Sequence, residues 1–263
     1  MKFKLKLLFL IFLSSLISSC AIKERLQEKP QITMVEKPPE LLWSDAKRFW
    51  EQKNYSEAAL AFEEIEKQHP YSKLAKKGQM MSAYVYYLAK EYESSIFAID
   101  RYISLHPADK QMAYMLYLKG LCHYDRIAEP RLDQNPSKLA KKNFEEIIKK
   151  FPKSKYAKDS KKKLFLINDQ LAAQEMVVGR YYQKKRRHLA AIERFKVVVD
   201  NYNTTAQTPE ALYRLTESYL SLGIIQEAKK TTAVLGYNYK NSNWYRLSYN
   251  LVKKYGYTKN EKS

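Results

Sequence analysis

Residues 54–70 read NYSEAALAFEEIEKQHP, and residues 91–107 read EYESSIFAIDRYISLHP. The two share a template: an aromatic residue, a small residue three on, a large apolar residue four further, and a proline eight after that. Tyr55, Ala58, Phe62 and Pro70 fill it first, and Tyr92, Ser95, Ile99 and Pro107 fill it again. Self-similarity at a period of about 20–50 residues marks a repeat array. Three further copies follow: Ser137, Ala140, Phe144 and Pro152; His188, Ala191, Phe195 and Asn203; and Ile225, Ala228, Thr232 and Lys240, the weakest. The large apolar position falls at 62, 99, 144, 195 and 232, which predicts five degenerate repeats.

Small and large apolar residues four apart share one face of a helix, and a proline beyond them ends it. The template therefore marks the second helix of each unit. A first helix lies upstream, carrying Leu42, Ala46 and Phe49; Gln79, Ala83 and Tyr86; Leu116, Gly120 and His123; Glu175, Gly179 and Tyr182; and Leu212, Thr216 and Tyr219. The small central residue lets two helix backbones approach closely, so each unit is a helix hairpin. Hairpins of this kind bury their apolar faces by stacking on neighbours. The pattern resembles the tetratricopeptide repeat. That resemblance implies an all-α, right-handed superhelix of about five hairpins, with the first helices lining its concave face.

Two units depart from the common length. IAEPRLDQNP at 127–136 predicts an ordered turn between the helices of the third unit. Residues 156–185 contain no proline and one glycine, and predict a single long helix joining the first three repeats to the last two. VVVDNY at 197–202 is β-branched but continues a helical period.

The chain opens MKFKLKLLFLIFLSSLISSC, with three lysines, an apolar run from Leu7 to Leu16, then small residues and a cysteine. The run is shorter than the roughly 20 residues that span a bilayer, and reads as a cleaved secretory signal over 1–19. ISSC at 17–20 resembles the bacterial lipobox, which implies that Cys20 is lipidated and becomes the first mature residue. Ala21 in place of aspartate favours the outer membrane by the lipoprotein sorting rule. Residues 20–40, with Pro30, Pro38 and Pro39, read as an extended tether that could reach about 60 Å. The remaining segments are N-terminal repeats at 41–153, the linking helix with C-terminal repeats at 154–256, and a tail at 257–263. Cys122 has no disulfide partner once Cys20 is acylated, and reads as a buried apolar residue.

The chain carries 47 basic and 28 acidic residues in 263, a formal charge of +19. Loss of Lys2, Lys4 and Lys6 with the signal leaves 44 against 28, or +16. Such a balance suits nucleic acid, anionic lipid or acidic protein. The run KKRR at 184–187 reads as a solvated helix end or a protein contact, because a secreted lipoprotein meets little nucleic acid. No histidine pair has metal-site spacing, no glycine-rich phosphate loop occurs, and six glycines leave little room for loop-built active sites. A binding scaffold without cofactor or metal, rather than an enzyme, is the expectation.

Beyond the generic repeat, AIDRYISLHP (98–107), YMLYLKGLCHYDRI (114–127), GRYYQKKRRHLAAIERF (179–195), PEALYRLTESYLSLG (209–223) and AVLGYNYKNSNWY (233–245) resemble the BamD (ComL/YfiO) family of outer-membrane β-barrel assembly lipoproteins. The resemblance implies a lipid-anchored scaffold on the periplasmic face of the outer membrane. Its partners would be the barrel-forming central subunit, accessory lipoproteins and unfolded β-barrel substrates. It implies that the C-terminal repeats, with Arg180 and Arg194, contact the barrel subunit. The N-terminal repeats would receive substrate along a groove that repeat phase assigns to Trp43, Lys47, Trp50, Met80, Tyr84, Tyr87, Tyr117 and Tyr124. Aromatic and cationic side chains suit an extended segment with aromatic residues and a terminal carboxylate. A periplasmic repeat lipoprotein regulating peptidoglycan synthesis or cell division is the alternative.

Overall fold

The computed structural model describes residues 36–256, which hold eleven helices and no strand. The signal at 1–19, Cys20, most of the tether and the tail at 257–263 lie outside the described residues. The chain divides into two units, Met1–Pro38 and Pro39–Ser263, and every described helix belongs to the second. The first hairpin is α1 (Pro39–Glu51) with α2 (Tyr55–Gln68), and the second is α3 (Lys73–Leu88) with α4 (Tyr92–Leu105). The third is α5 (Met112–Tyr124) with α6 (Asn135–Lys150), and the fourth is α7 (Lys155–Lys184) with α8 (His188–Asn201). The fifth is α9 (Thr208–Ser221) with α10 (Ile225–Asn238), followed by α11 (Asn243–Gly256). Helix α7 runs 30 residues, so the expected linking helix is present as one element.

The turns repeat as strictly as the helices. The residue closing each second helix, His69, His106, Phe151, Tyr202 or Tyr239, has φ between −131° and −135°. In all five cases its carbonyl accepts a hydrogen bond from the N–H three residues on, at 2.9–3.0 Å. Ser72 and Ser154 then cap the next helix through their hydroxyls. Within the first, second, fourth and fifth hairpins, Lys53, Lys90, Arg186 and Gly223 sit at φ 57–75°. The following N–H bonds back to the carbonyl five residues earlier, the Schellman closure of a helix end. Glycine meets that left-handed backbone without strain only at Gly223.

The third hairpin replaces the closure with an ordered loop, as expected from 127–136. Its organiser is Gln134, 2% exposed, whose Nε2 donates to the carbonyls of Glu129 at 2.8 Å and Leu132 at 3.2 Å. Its Oε1 accepts from the Ser137 hydroxyl at 2.8 Å.

The core follows the template. Phe62, Ile99, Phe144 and Phe195 are fully buried, and Thr232 is 7% exposed at the fifth equivalent position. The opposing small residues Ala46, Ala83, Gly120, Gly179 and Thr216 are all buried. A methyl group on Gly120 would stand 2.6 Å from the Phe144 ring, and one on Gly179 would collide with Phe195, so both rings occupy the space a side chain would fill. Burial of each such ring stabilises by about 1.5–3 kcal/mol.

Two boundaries differ from the sequence expectation. Helix α1 begins at Pro39, inside the segment assigned to the tether, because proline is tolerated in a first helical turn. The last repeat is followed by a separate helix, α11, packed on both α9 and α10. It carries Trp244, Ser248 and Leu251 at the first-helix spacing, with Ser248 fully buried at the small position, and so covers the end of the array as a sixth first helix.

Candidate functional site

Each helix packs against the next, and in addition α1 touches α3, α3 touches α5, α5 touches α7, α7 touches α9 and α9 touches α11. Among the described residues no second helix touches another second helix. First helices are therefore the tighter row, and the array curves with them on its inner side. That row carries the eight predicted groove residues.

Of these, only Lys47 is exposed; the others are half-buried and take part in packing between helices. Trp43 meets Phe62 edge-on at 5.0 Å, and the Lys77 ammonium stands 4.5 Å over the Trp43 ring. Trp50, Met80 and Tyr84 lean on the core of the first two hairpins. Tyr87 donates to Asp125 at 2.6 Å, and burial with that carboxylate pushes its phenol well up from 10. Tyr117 donates to Asp159 and packs against Phe144 and Tyr156 at 5.9 and 5.2 Å. Tyr124 lies edge-on to Phe144, with Lys163 at 4.5 Å from its ring. Seven of the eight thus serve packing between helices while keeping partial exposure on the inner row.

Sequence reasoning missed a cationic cluster beside this row. Lys73, Lys76 and Lys77 stand one turn apart on α3 and, with Lys110, surround an open cleft floored by Met80 and Tyr102. Lys76 pairs with Asp109 at 2.6 Å, which holds the Asp109 carboxyl down at about 2. The i, i+3, i+4 spacing of those lysines was the available signal. The arrangement supplies ammonium groups next to apolar surface, which suits a carboxylate-bearing extended peptide.

The two C-terminal arginines are not brought together. Arg180 bonds both oxygens of Glu210 at 3.1 Å, linking α7 to α9 on the inner row. Arg194, with 45% of its side chain exposed, pairs with Glu175 at 3.2 Å. Glu175 and Arg180 lie five residues apart on α7, a rotation of about 140°, so the arginines address different sides of that helix. Around Arg180 the structure adds Arg214, which bridges Glu210 and Glu217 and stacks near Tyr213 and Trp244. Nothing in the spacing of the repeat template singled these out.

Burial pushes the Cys122 thiol up to about 11, and it donates to Ser95 at 3.3 Å. Burial depresses His123, and among the described residues no cluster of three metal-ligating side chains forms.

The family model of YfiO, an outer membrane lipoprotein, matches residues 35–235. The chain is 46% identical over 218 residues to the outer membrane protein assembly factor BamD of Rickettsia prowazekii (strain Madrid E), covering 83% of this chain and 87% of that protein. It is 38% identical over 242 residues to the BamD of Caulobacter vibrioides, covering 92% and 78%. The BamD of Neisseria meningitidis serogroup A is 32% identical over 247 residues, covering 90% and 92%. A family match over residues 35–235 and relatives aligned over most of both chains lead to one conclusion: the chain belongs to the BamD (YfiO) family.

Proposed function

We propose that this chain is a non-catalytic scaffold of outer-membrane β-barrel assembly, anchored through a lipid on Cys20 and facing the periplasm. The observation that carries the reading is the alignment of nearly the whole helical array with proteins named as outer membrane protein assembly factors. The inner row, with its half-exposed aromatic side chains and the Lys73–Lys76–Lys77 face, provides chemistry for an unfolded barrel segment ending in a carboxylate. The C-terminal hairpins, through Arg180 and Arg194, provide the contact to the barrel-forming subunit, and accessory lipoproteins complete the assembly. An exposed ion pair contributes about 0–1 kcal/mol, whereas breaking a desolvated interfacial pair costs about 2–5 kcal/mol.

Detergent extraction and pull-down test the scaffold role. The parent chain should recover a barrel-forming outer-membrane protein, and Arg194→Glu should recover little of it while folding normally. Recovery of a cell-wall synthase or division protein in its place would select the alternative function. Equal recovery by Arg194→Glu would remove Arg194 from the interface. Fatty-acid labelling that persisted in Cys20→Ala would remove the anchor.

A further inference from the structure

We infer that the outer face of the first half of α7 is a second membrane contact, one that docks on anionic phospholipid headgroups. Lys155, Lys158, Lys161, Lys162, Phe165 and Leu166 are all exposed. At about 100° per residue they fall within an arc of roughly 140°, over about 16 Å of helix. Phe165 and Leu166 are 54% and 56% exposed, side by side in the middle of a 30-residue helix with nothing covering them. The last turn of α6 and the turn before α7 add the exposed Lys149 and Lys153.

Uncompensated charge and exposed apolar surface meet on this face. Several basic side chains of the array reach across to acidic ones, as in Lys76–Asp109, Arg101–Glu66, Lys119–Asp100 and Arg126–Glu93. Here Lys149, Lys153, Lys158, Lys161 and Lys162 have no acidic side chain within ion-pair distance among the described residues. Asp159, the acid within the run, is taken by Tyr117 and Lys163. A helix face that carries uncompensated ammonium groups followed by a pair of large apolar side chains matches a headgroup layer, where cations meet phosphates and apolar tips enter the acyl boundary. An acidic protein surface would satisfy the lysines but would leave Phe165 and Leu166 without an apolar host.

The inference rests on the membrane placement proposed above but not on the acyl group. Vesicle flotation should therefore use the chain from residue 20 onward with Cys20→Ser, which retains every described helix and carries no lipid. It should float with phosphatidylethanolamine–phosphatidylglycerol vesicles, and much less with phosphatidylcholine vesicles. Binding should fall steeply with added salt. Each lysine near an anionic surface contributes about fivefold, so Lys158→Ala/Lys161→Ala/Lys162→Ala should weaken binding about 100-fold. Phe165→Ser/Leu166→Ser should weaken it with the salt dependence retained. These positions are exposed, and circular dichroism should match the parent. No flotation of the parent, equal flotation on phosphatidylcholine, or unchanged flotation of the lysine variant would each overturn the inference. Loss of fatty-acid labelling at Cys20 is a separate readout, so the anchor and this contact fail independently.

Discussion

The fourth and fifth hairpins solve the same packing problem with different chemistry. In the fourth, the Phe195 ring fills the space left by Gly179, and contact is wholly apolar. In the fifth, the equivalent positions are Thr216 and Thr232, whose hydroxyls meet at 3.4 Å. Thr216 also bonds Thr231 at 2.8 Å, and Ser248 of α11 bonds Thr232 at 2.6 Å and Thr216 at 3.0 Å. An apolar seam is complete within its own hairpin, whereas buried hydroxyls need partners, and here one partner comes from the next helix. The Thr216–Thr232 seam of the fifth hairpin is thus tied to the terminal helix by directional bonds, and the Phe195–Gly179 seam of the fourth is held by volume.

The strongest way to break this contrast is Phe195→Ala, which should cost about 3–5 kcal/mol in chemical denaturation, with hydrogen exchange accelerating mainly in the fourth hairpin and its neighbours. Uniform acceleration through all five hairpins would contradict the array. Gly179→Ala approaches the same seam from the opposite helix and should cost about 1–3 kcal/mol, since the ring must shift; a neutral result would show that the ring has room. Ser248→Ala should cost about 1 kcal/mol and loosen α11 before it loosens α9, readable as earlier exchange of 243–256. If α9 opened first, the hydroxyl cluster would not be what joins them.

The smallest effect sharpens a different seam, between the second and third hairpins. Lys76→Ala should destabilise by about 0–1 kcal/mol near neutrality. The Asp109 carboxyl is lowered from 3.8 to about 2, chiefly by Lys76. Its contribution is therefore present above pH 3.8 and is lost as pH falls through about 2. The difference in melting temperature between parent and variant should close over that window, and a constant difference down to pH 2 would dissociate Asp109 from Lys76.

Legibility in the sequence tracked the range of the interaction. Phe62, Phe144 and Phe195 were readable as buried because helical period alone places them on one face with a small residue four earlier. Helix α11 was present in the same language, through Trp244, Ser248 and Leu251, but lacks the second helix that made the other units recognisable. Gln134 was not legible, since its role depends on three carbonyls of a loop whose path no local rule specifies. The groove aromatics were half legible: phase put them on first helices, but their exposure depends on neighbours 38 and 42 residues away, Asp125 for Tyr87 and Asp159 for Tyr117.

What the sequence determined by itself was the helix hairpin, its count and its buried positions, because these follow from 3.6-residue periodicity and from where proline stops a helix. Only tertiary structure decided which helices form the inner row, that Arg180 and Arg194 address different sides of α7, and that Lys158, Lys161 and Lys162 lack acidic neighbours across the helix seams. Each of those depends on distances between residues far apart in the chain, and a spacing rule carries no information about what the next hairpin brings within reach of a charge.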